Sequence, residues 1–493
     1  DVYKRQVLDL SPSAKIQKQV IRALSAVRTF PSLILASKYL DNKEIAVTAA
    51  ATVKTIIAKN EERLGGSSVK LILEKAQNVY RALSDADAKY AVDEISNLLT
   101  KLPDYDYKPL FDDTDTWNID KITSANWKAV KGGMEYAGGK AGKISTKKDY
   151  ENFEMYLDWK TLGKAGIAVR SIPQIGLGVE GGSGGLIHES KPVVNADNKA
   201  GEWNTLYAKV VDDRITVALN GRIVTNNVVM ENTLQQASPI NIKGAIELMG
   251  ESEAVEYRDL YIRELPSTPV SVLSPEEKAE GYEMLFDGTS LYKWTGNMVN
   301  YVPQNGTLYV SAAYGKGGNL YTKKEYSDFV FRFEFRFERD GVNNGVGIRT
   351  PIGVDAAYDG MEIQILDHDS PIYKGLHEYQ QHGSVYGIIP AKRVKFGPLG
   401  SWNKEEIRVV GDQITVTVNG EVILEGNIRE ACQGKNVSED GSKKNPYTMD
   451  HRNHPGLFNR KGHIGFLGHG TGIRFRNVRV LDLSTRTVPV KRK

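Results

Sequence analysis

A single cysteine in 493 residues, Cys432, excludes an internal disulfide. It does not exclude an oxidising compartment, and its thiol reads as a small buried apolar group or an inert surface one. Neither sign of charge dominates: 64 Lys and Arg against 61 Asp and Glu leave a formal net charge of +3. That balance removes the general electrostatic reason to expect nucleic acid or an anionic membrane as partner, and the short basic stretch 486–493 reads as a solvated tail. No run approaches the roughly 18 apolar residues of a membrane-spanning helix. An opening Met is also missing; the chain starts Asp1-Val2-Tyr3, which reads as a fragment or a cloning scar, with any export signal upstream.

What is present is enough for ordinary cores: 40% of the residues are hydrophobic, and the length suggests about three domains. Residues 7 to 104 carry apolar side chains at three- and four-residue spacing: Val20, Leu24 and Val27, then Leu33, Leu35 and Leu40, then Val47, Ala50, Val53, Ile56 and Ile57. Pro31, Asp41-Asn42 and Gly65-Gly66 punctuate them. The pattern predicts short amphipathic helices over 1–104 and resembles the end of a HEAT-like repeat array, whose helices would offer a surface to a protein partner; a plain helical linker domain is the alternative.

From about 105 the rhythm changes to period two. Phe329, Phe331, Phe333, Phe335 and Phe337 alternate with Val330, Arg332, Glu334 and Arg336, the pattern of a half-buried strand. Asn220-Gly221 and Asn419-Gly420 follow such strands, and Asn-Gly supplies the two positive φ angles of a tight hairpin. The blocks recur in order: Leu110-Phe111-Asp112 and Leu285-Phe286-Asp287, Arg170 and Arg349, Trp203-Asn204 and Trp402-Asn403, the two Asn-Gly pairs, then Gly244 and Gly462. One unit is written twice. Arg to Trp spans 33 positions in the first copy and 53 in the second, Trp to Asn-Gly spans 17 in both, and Asn to the closing Gly spans 24 against 43. Two loops have grown on a constant scaffold, and such loops concentrate function. The fold expected is an N-terminal all-α segment followed by two all-β sandwiches, at 105–265 and 280–485, joined by a Pro-rich linker at 266–279.

In the second copy Leu285-Phe286-Asp287-Gly288, Asn344-Gly345-Val346-Gly347-Ile348-Arg349, Met361-Glu362-Ile363-Gln364-Ile365-Leu366-Asp367, Gly383-Ser384-Val385-Tyr386-Gly387 and Gly462-His463-Ile464-Gly465-Phe466-Leu467-Gly468-His469-Gly470 resemble the ordered signature of the 3-keto-disaccharide hydrolase family, also called domain of unknown function 1080. The first copy resembles a degenerate, non-catalytic member. The resemblance implies concanavalin-like jelly-roll sandwiches, a periplasmic or extracellular setting, and hydrolysis of 3-keto-glycosides or 3-keto-disaccharides. A non-catalytic, lectin-like carbohydrate-binding protein is the rival reading, since one sandwich hosts both.

The residues themselves support a site. Glu362 and Gln364, two apart on a strand, share one sheet face, with Ile363 and Ile365 toward the core. In the first copy Gly176 and Gly178 are the expected counterparts, and Met249-Gly250-Glu251 stands for Gly468-His469-Gly470, so carboxylate, amide and imidazole disappear together. Glu362 and His469 are therefore the candidate catalytic pair, base and acid in either order. Arg349, Gln364, Asp367, His382 and Tyr386 are candidate substrate contacts, Arg349 either on a sugar hydroxyl or in a structural ion pair. Trp203 and Trp402 read as core packing. Asp367-His368-Asp369, His377 and His382 carry the donor types a divalent metal takes but no fixed ligand spacing, and a solvated loop is the competing account; no cofactor is otherwise implied. The second grown loop, with Asp450-His451-Arg452-Asn453-His454, is expected to rim the site and to be held by surface contacts alone. Asn436-Val437-Ser438 fits a glycosylation sequon, frequent by chance.

Overall fold

The computed structural model describes residues 2–10, 13–60, 64–112, 114–118, 126–235, 238–311 and 317–484; the basic stretch 486–493 lies outside them. Alternation and Asn-Gly turns give what they predict. Phe329, Phe331, Phe333, Phe335 and Phe337 all face the core of the second sandwich, and Asn220-Gly221 and Asn419-Gly420 adopt paired positive φ angles of 50° and 82°, and 52° and 86°. Among the described residues each copy is an eight-stranded sheet over a five-stranded one, with every pairing antiparallel. Strand order is the same in both copies, including the short first strand, Lys108–Pro109 or Glu283–Phe286, that pairs with the last one.

The chain forms two compact units, 1–235 with 241–267 and 236–240 with 268–493. In the first, six helices between Val2–Asp9 and Ala86–Leu99 close around Leu24, Leu33, Val53 and Ile57. Their core continues into the first sandwich, where Phe30 stacks on Tyr107 at 4.6 Å and meets Tyr261 edge-on at 5.2 Å. Apolar surface that a repeat array would show to its next helix pair is buried on a sheet instead. Val47, placed in the apolar pattern by its spacing, is exposed, because helix Ala46–Ala58 buries the face of Ala49, Val53 and Ile56 and turns Val47 outward with Ala51 and Ala58. No helix among the described residues is long and apolar enough to cross a membrane.

The Pro-rich stretch before the second sandwich is not a bare linker. Ser274 and Glu277 form a capping box on helix Pro275–Glu280, which satisfies otherwise orphaned N–H groups, and Glu277 takes hydrogen bonds from Arg332 and Arg479 of the sandwich. The loop 432–461 is likewise not held by surface contacts alone. Cys432 and Leu457 belong to the core, and Asn445 is fully buried, its amide donating to the Lys435 carbonyl. Within 436–452 Tyr447 packs on that core and Thr448 is buried, so removing this stretch would open the core as well as the rim.

Trp203 and Trp402 are half-buried and outside the core. Arg258 and Lys160 lie 3.6 and 4.9 Å from the first ring centroid, and Arg476 and Arg336 lie 4.1 and 4.9 Å from the second. An indole face clamped by cations is stabilised electrostatically where it stands. It offers no bare platform to a sugar.

Candidate active site

The five-stranded sheet of the second sandwich ends in strands His463–Leu467, Asn343–Thr350 and Met361–Leu366. On Met361–Leu366 the odd residues Met361, Ile363 and Ile365 enter the core, so Glu362 and Gln364 face outward together. Gly347 pairs with Glu362 and Gly345 with Gln364. The Glu362 side chain leans over Gly345, where an added Cβ would meet Oε1 at 2.2 Å; only glycine leaves it room. Beyond the end of His463–Leu467, the ring of His469 returns over this face, its Nε2 3.1 Å from Glu362 Oε1. Glu362 is 4% exposed, whereas the His469 side chain is 44% exposed. The hydrogen bond to Glu362 raises the His469 pKa; burial opposes it, and the charges of Glu362 and Asp355 add to the rise. A carboxylate behind a more accessible imidazole orients the ring and strengthens it as a base, as the Asp of a Ser-His-Asp triad does.

Two other predicted contacts share this face. Gln364 donates to Asn343 Oδ1 at 2.7 Å. Tyr386 lies beside Glu362, its N–H donating to the Glu362 carbonyl at 2.9 Å and its hydroxyl accepting from Gln380 at 3.4 Å.

Three do not reach it. Arg349 is 1% exposed; its guanidinium donates to the Ser327 and Gly411 carbonyls, both at 2.8 Å, and to Asp328 Oδ1 at 3.0 Å. Arg170 makes the matching set in the first copy, to the Glu151 and Asp212 carbonyls and Asn152 Oδ1, so this arginine braces the fold. Arg349→Met is accordingly expected to lower the urea midpoint by an amount equivalent to about 3 kcal/mol, with KM of the folded fraction unchanged. Asp367 lies five positions beyond Glu362, roughly 16 Å along an extended chain, and accepts from the Gly341 N–H at 2.9 Å. There it lines a separate cavity of about 200 Å³ with Asp340, Asp369, Ser370 and Phe396. His382 points into the sandwich interior: its Nδ1 accepts from the Leu366 N–H at 3.1 Å, and its Nε2 lies 3.2 Å from Glu405 Oε2.

The same burial dissolves the metal reading of the loop. His368 and His382 are buried against Phe396, Asp369 pairs with Arg393, and His377 stacks on Tyr379. Among the described residues no group of three or more His, Cys, Asp or Glu is placed to hold a metal ion.

Register corrects the correspondence between copies. Gln174, not Gly176, stands where Glu362 does, since Ala168 pairs with Gln174 as Gly347 pairs with Glu362; Gly176 replaces Gln364. Bridges Ile175 to Leu186 and Ile363 to Val385 fix the same alignment. Met249 pairs with Gly166 as Leu467 pairs with Gly345, so Gly250 answers Gly468 and Glu251 answers His469. Pattern alone slipped by two and by one because glycines recur on both strands. An amide and an exposed carboxylate thus replace the carboxylate–imidazole pair.

The first grown loop is two insertions, one on each side of Met361–Leu366. Arg349 to Glu362 spans 13 positions against 4 from Arg170 to Gln174, and Ile363 to Val385 spans 22 against 11 from Ile175 to Leu186. The first insertion carries helix Ala356–Asp359, capped by Asp355, and the other grown loop docks on it. His454 Nδ1 donates to the Ala357 carbonyl at 3.0 Å, its Nε2 meets Asp450 at 3.1 Å, and the Asn436 amide of the sequon donates to the His454 carbonyl. Asp355, Tyr358 and Glu405 escaped sequence reading, since nothing in their spacing marks which insertion folds over the dyad or which strand residue turns inward.

Residues 106–263 and 281–481 match the 3-keto-alpha-glucoside-1,2-lyase-like domain. A 3-keto-disaccharide hydrolase of Bacteroides thetaiotaomicron is 28% identical over 263 residues, 47% of this chain and 88% of the relative. Two solved structures named as putative glycosyl hydrolases, both from Parabacteroides distasonis, are 25% and 24% identical; they cover 41% and 43% of this chain and 99% of their own, with TM-scores of 0.35 and 0.36.

Proposed function

The chain belongs to the 3-keto-alpha-glucoside-1,2-lyase-like family, and on that footing we propose that the second sandwich hydrolyses 3-keto-glycosides through elimination and hydration. The observation that carries the reading is the buried Glu362 held on Nε2 of the more accessible His469. An ordinary glycosidase flanks the scissile bond with two carboxylates. One carboxylate paired with an imidazole suits a different reaction. A ketone at C3 acidifies the proton on C2, so a single positioned base suffices.

With Nε2 donating to Glu362, Nδ1 of His469 is the atom free to take the C2 proton. The C2–H electron pair moves toward the C3 carbonyl as an enolate, then returns to form C1=C2 as the C1–O bond breaks. The proton on Nδ1 goes to the departing oxygen. Water then adds across the double bond, hydroxyl to C1 and hydrogen to C2, completing net hydrolysis. Gln364 and Tyr386, on the same face, contact sugar hydroxyls. The first sandwich, with Gln174 and Glu251 in place of the pair, has no base so oriented and is proposed to be non-catalytic. A periplasmic or extracellular setting is proposed as well.

The test is release of aglycone from a glucoside and from its 3-keto derivative. Turnover of the keto form alone is expected. Binding of either without turnover would instead establish the lectin-like alternative.

A further inference from the structure

Elimination leaves negative charge on the C3 oxygen, and a donor aimed at that oxygen supplies much of the catalysis in such reactions. Arg349, the cation that sequence offered, is engaged with main-chain carbonyls elsewhere. We propose that Tyr358, held by Arg452, is the donor that receives the developing enolate oxygen; this rests on the elimination reading above.

The insertion before Met361–Leu366 lays helix Ala356–Asp359 on the dyad's face. Ala356 Cβ is 3.3 Å from where a side chain on Gly347 would begin, and Gly347 is the register partner of Glu362. Asp355 lies within electrostatic reach of both His469 and Tyr358, and Tyr386, beside Glu362, also acts on Tyr358. The phenol is held from several sides. The Arg452 guanidinium lies 4.0 Å from its ring centroid and donates to its oxygen. The His454 ring packs 4.8 Å away, and the Gly456 N–H donates to the Tyr358 carbonyl at 2.8 Å. Gly387 permits this closure, because any Cβ there would meet Asp450 and His454 at 2.8 Å. A phenol that accepts from a guanidinium keeps its own O–H to donate; burial pushes its pKa up and so holds the proton on the oxygen, while the Arg452 cation opposes that rise and polarises the O–H. No proton leaves Tyr358: its O–H donates a hydrogen bond to the enolate oxygen, which becomes the C3 carbonyl again when the C1–O bond breaks. The first copy has only four positions from Arg170 to Gln174 and no such helix, so donor and base are absent together.

Tyr358→Phe and Arg452→Met in the full chain test this with a 3-keto-glucoside, in its ordinary form and deuterated at C2. Tyr358→Phe is expected to lower kcat about 10²-fold with KM moved less than about threefold, and to enlarge the deuterium isotope effect as proton abstraction becomes limiting. Arg452→Met, at an exposed position, is expected to lower kcat in the same sense, and it decides the matter if the Phe variant does not fold. Wild-type turnover with unchanged kcat in both variants, or with KM alone raised, overturns the donor assignment. An inert wild type overturns the elimination reading, and this assignment with it.

Discussion

Glu362→Gln is expected to lower kcat on a 3-keto-glycoside by about 10² to 10⁴ without unfolding the second sandwich. The substitution is nearly isosteric at a position 4% exposed, so packing against Gly345 survives. What disappears is the carboxylate hydrogen bond, and with it the charge, that raises the His469 pKa and fixes Nε2 as the donor. An amide presents either its oxygen or its NH2 to the ring, so the orienting force is lost; removing the carboxylate of a catalytic triad costs about 10⁴ for that reason. The His469 titration, followed by its ring proton resonances, should move down in the variant. Stability at neutral pH should change little. Retention of near wild-type kcat at saturating substrate would remove Glu362 from the mechanism.

Glu405→Leu is expected to stabilise the second sandwich by about 1–4 kcal/mol at pH 8, a shift of roughly 2–4 °C per kcal/mol in melting temperature for a domain of this size. Glu405 is 2% exposed inside the sandwich. His382 Nε2 approaches one oxygen at 3.2 Å, but off angle, leaving both carboxylate oxygens without an aligned donor among the described residues. Burial raises its pKa, and His382 offsets this only in part. The folded state therefore holds the proton to higher pH than the unfolded chain does. Stability is full below the unfolded carboxylate range and is lost as pH rises through the raised folded pKa. The wild type should weaken across that window, whereas Glu405→Gln, which cannot ionise, should not. Register gives the natural precedent: Asn204 and Asn403 are equivalent, so Leu206, fully buried, occupies this place in the first copy. Equal melting temperatures for wild type and both variants at pH 8 would show that the carboxylate carries no burden there.

Much of this architecture was legible from local chemistry. Period-two alternation placed the Phe329–Phe337 strand and its inward face, Asn-Gly placed two hairpins, and repeated blocks showed the duplication with its grown loops. The alternation of Met361–Leu366 also put Glu362 and Gln364 on one side, because a strand cannot do otherwise. Those features depend on neighbours in sequence, and sequence displays them.

Partners brought together from afar were not legible. His469 meets Glu362 across 107 positions, Tyr358 meets Arg452 across 94, and the register that sets Gln174 opposite Ala168 rests on hydrogen bonds that no local pattern records. The direction of each polar side chain at a strand end depended on the tertiary fold too. Arg349 turned to main-chain carbonyls, and His382, in the loop just before a glycine at φ +81°, turned into the core toward Glu405. The sequence determined which faces are apolar, because that follows from residue type and period. Only the packing of one strand on another decided which polar groups meet, because a hydrogen bond is fixed by distance and angle between atoms that the chain order leaves far apart.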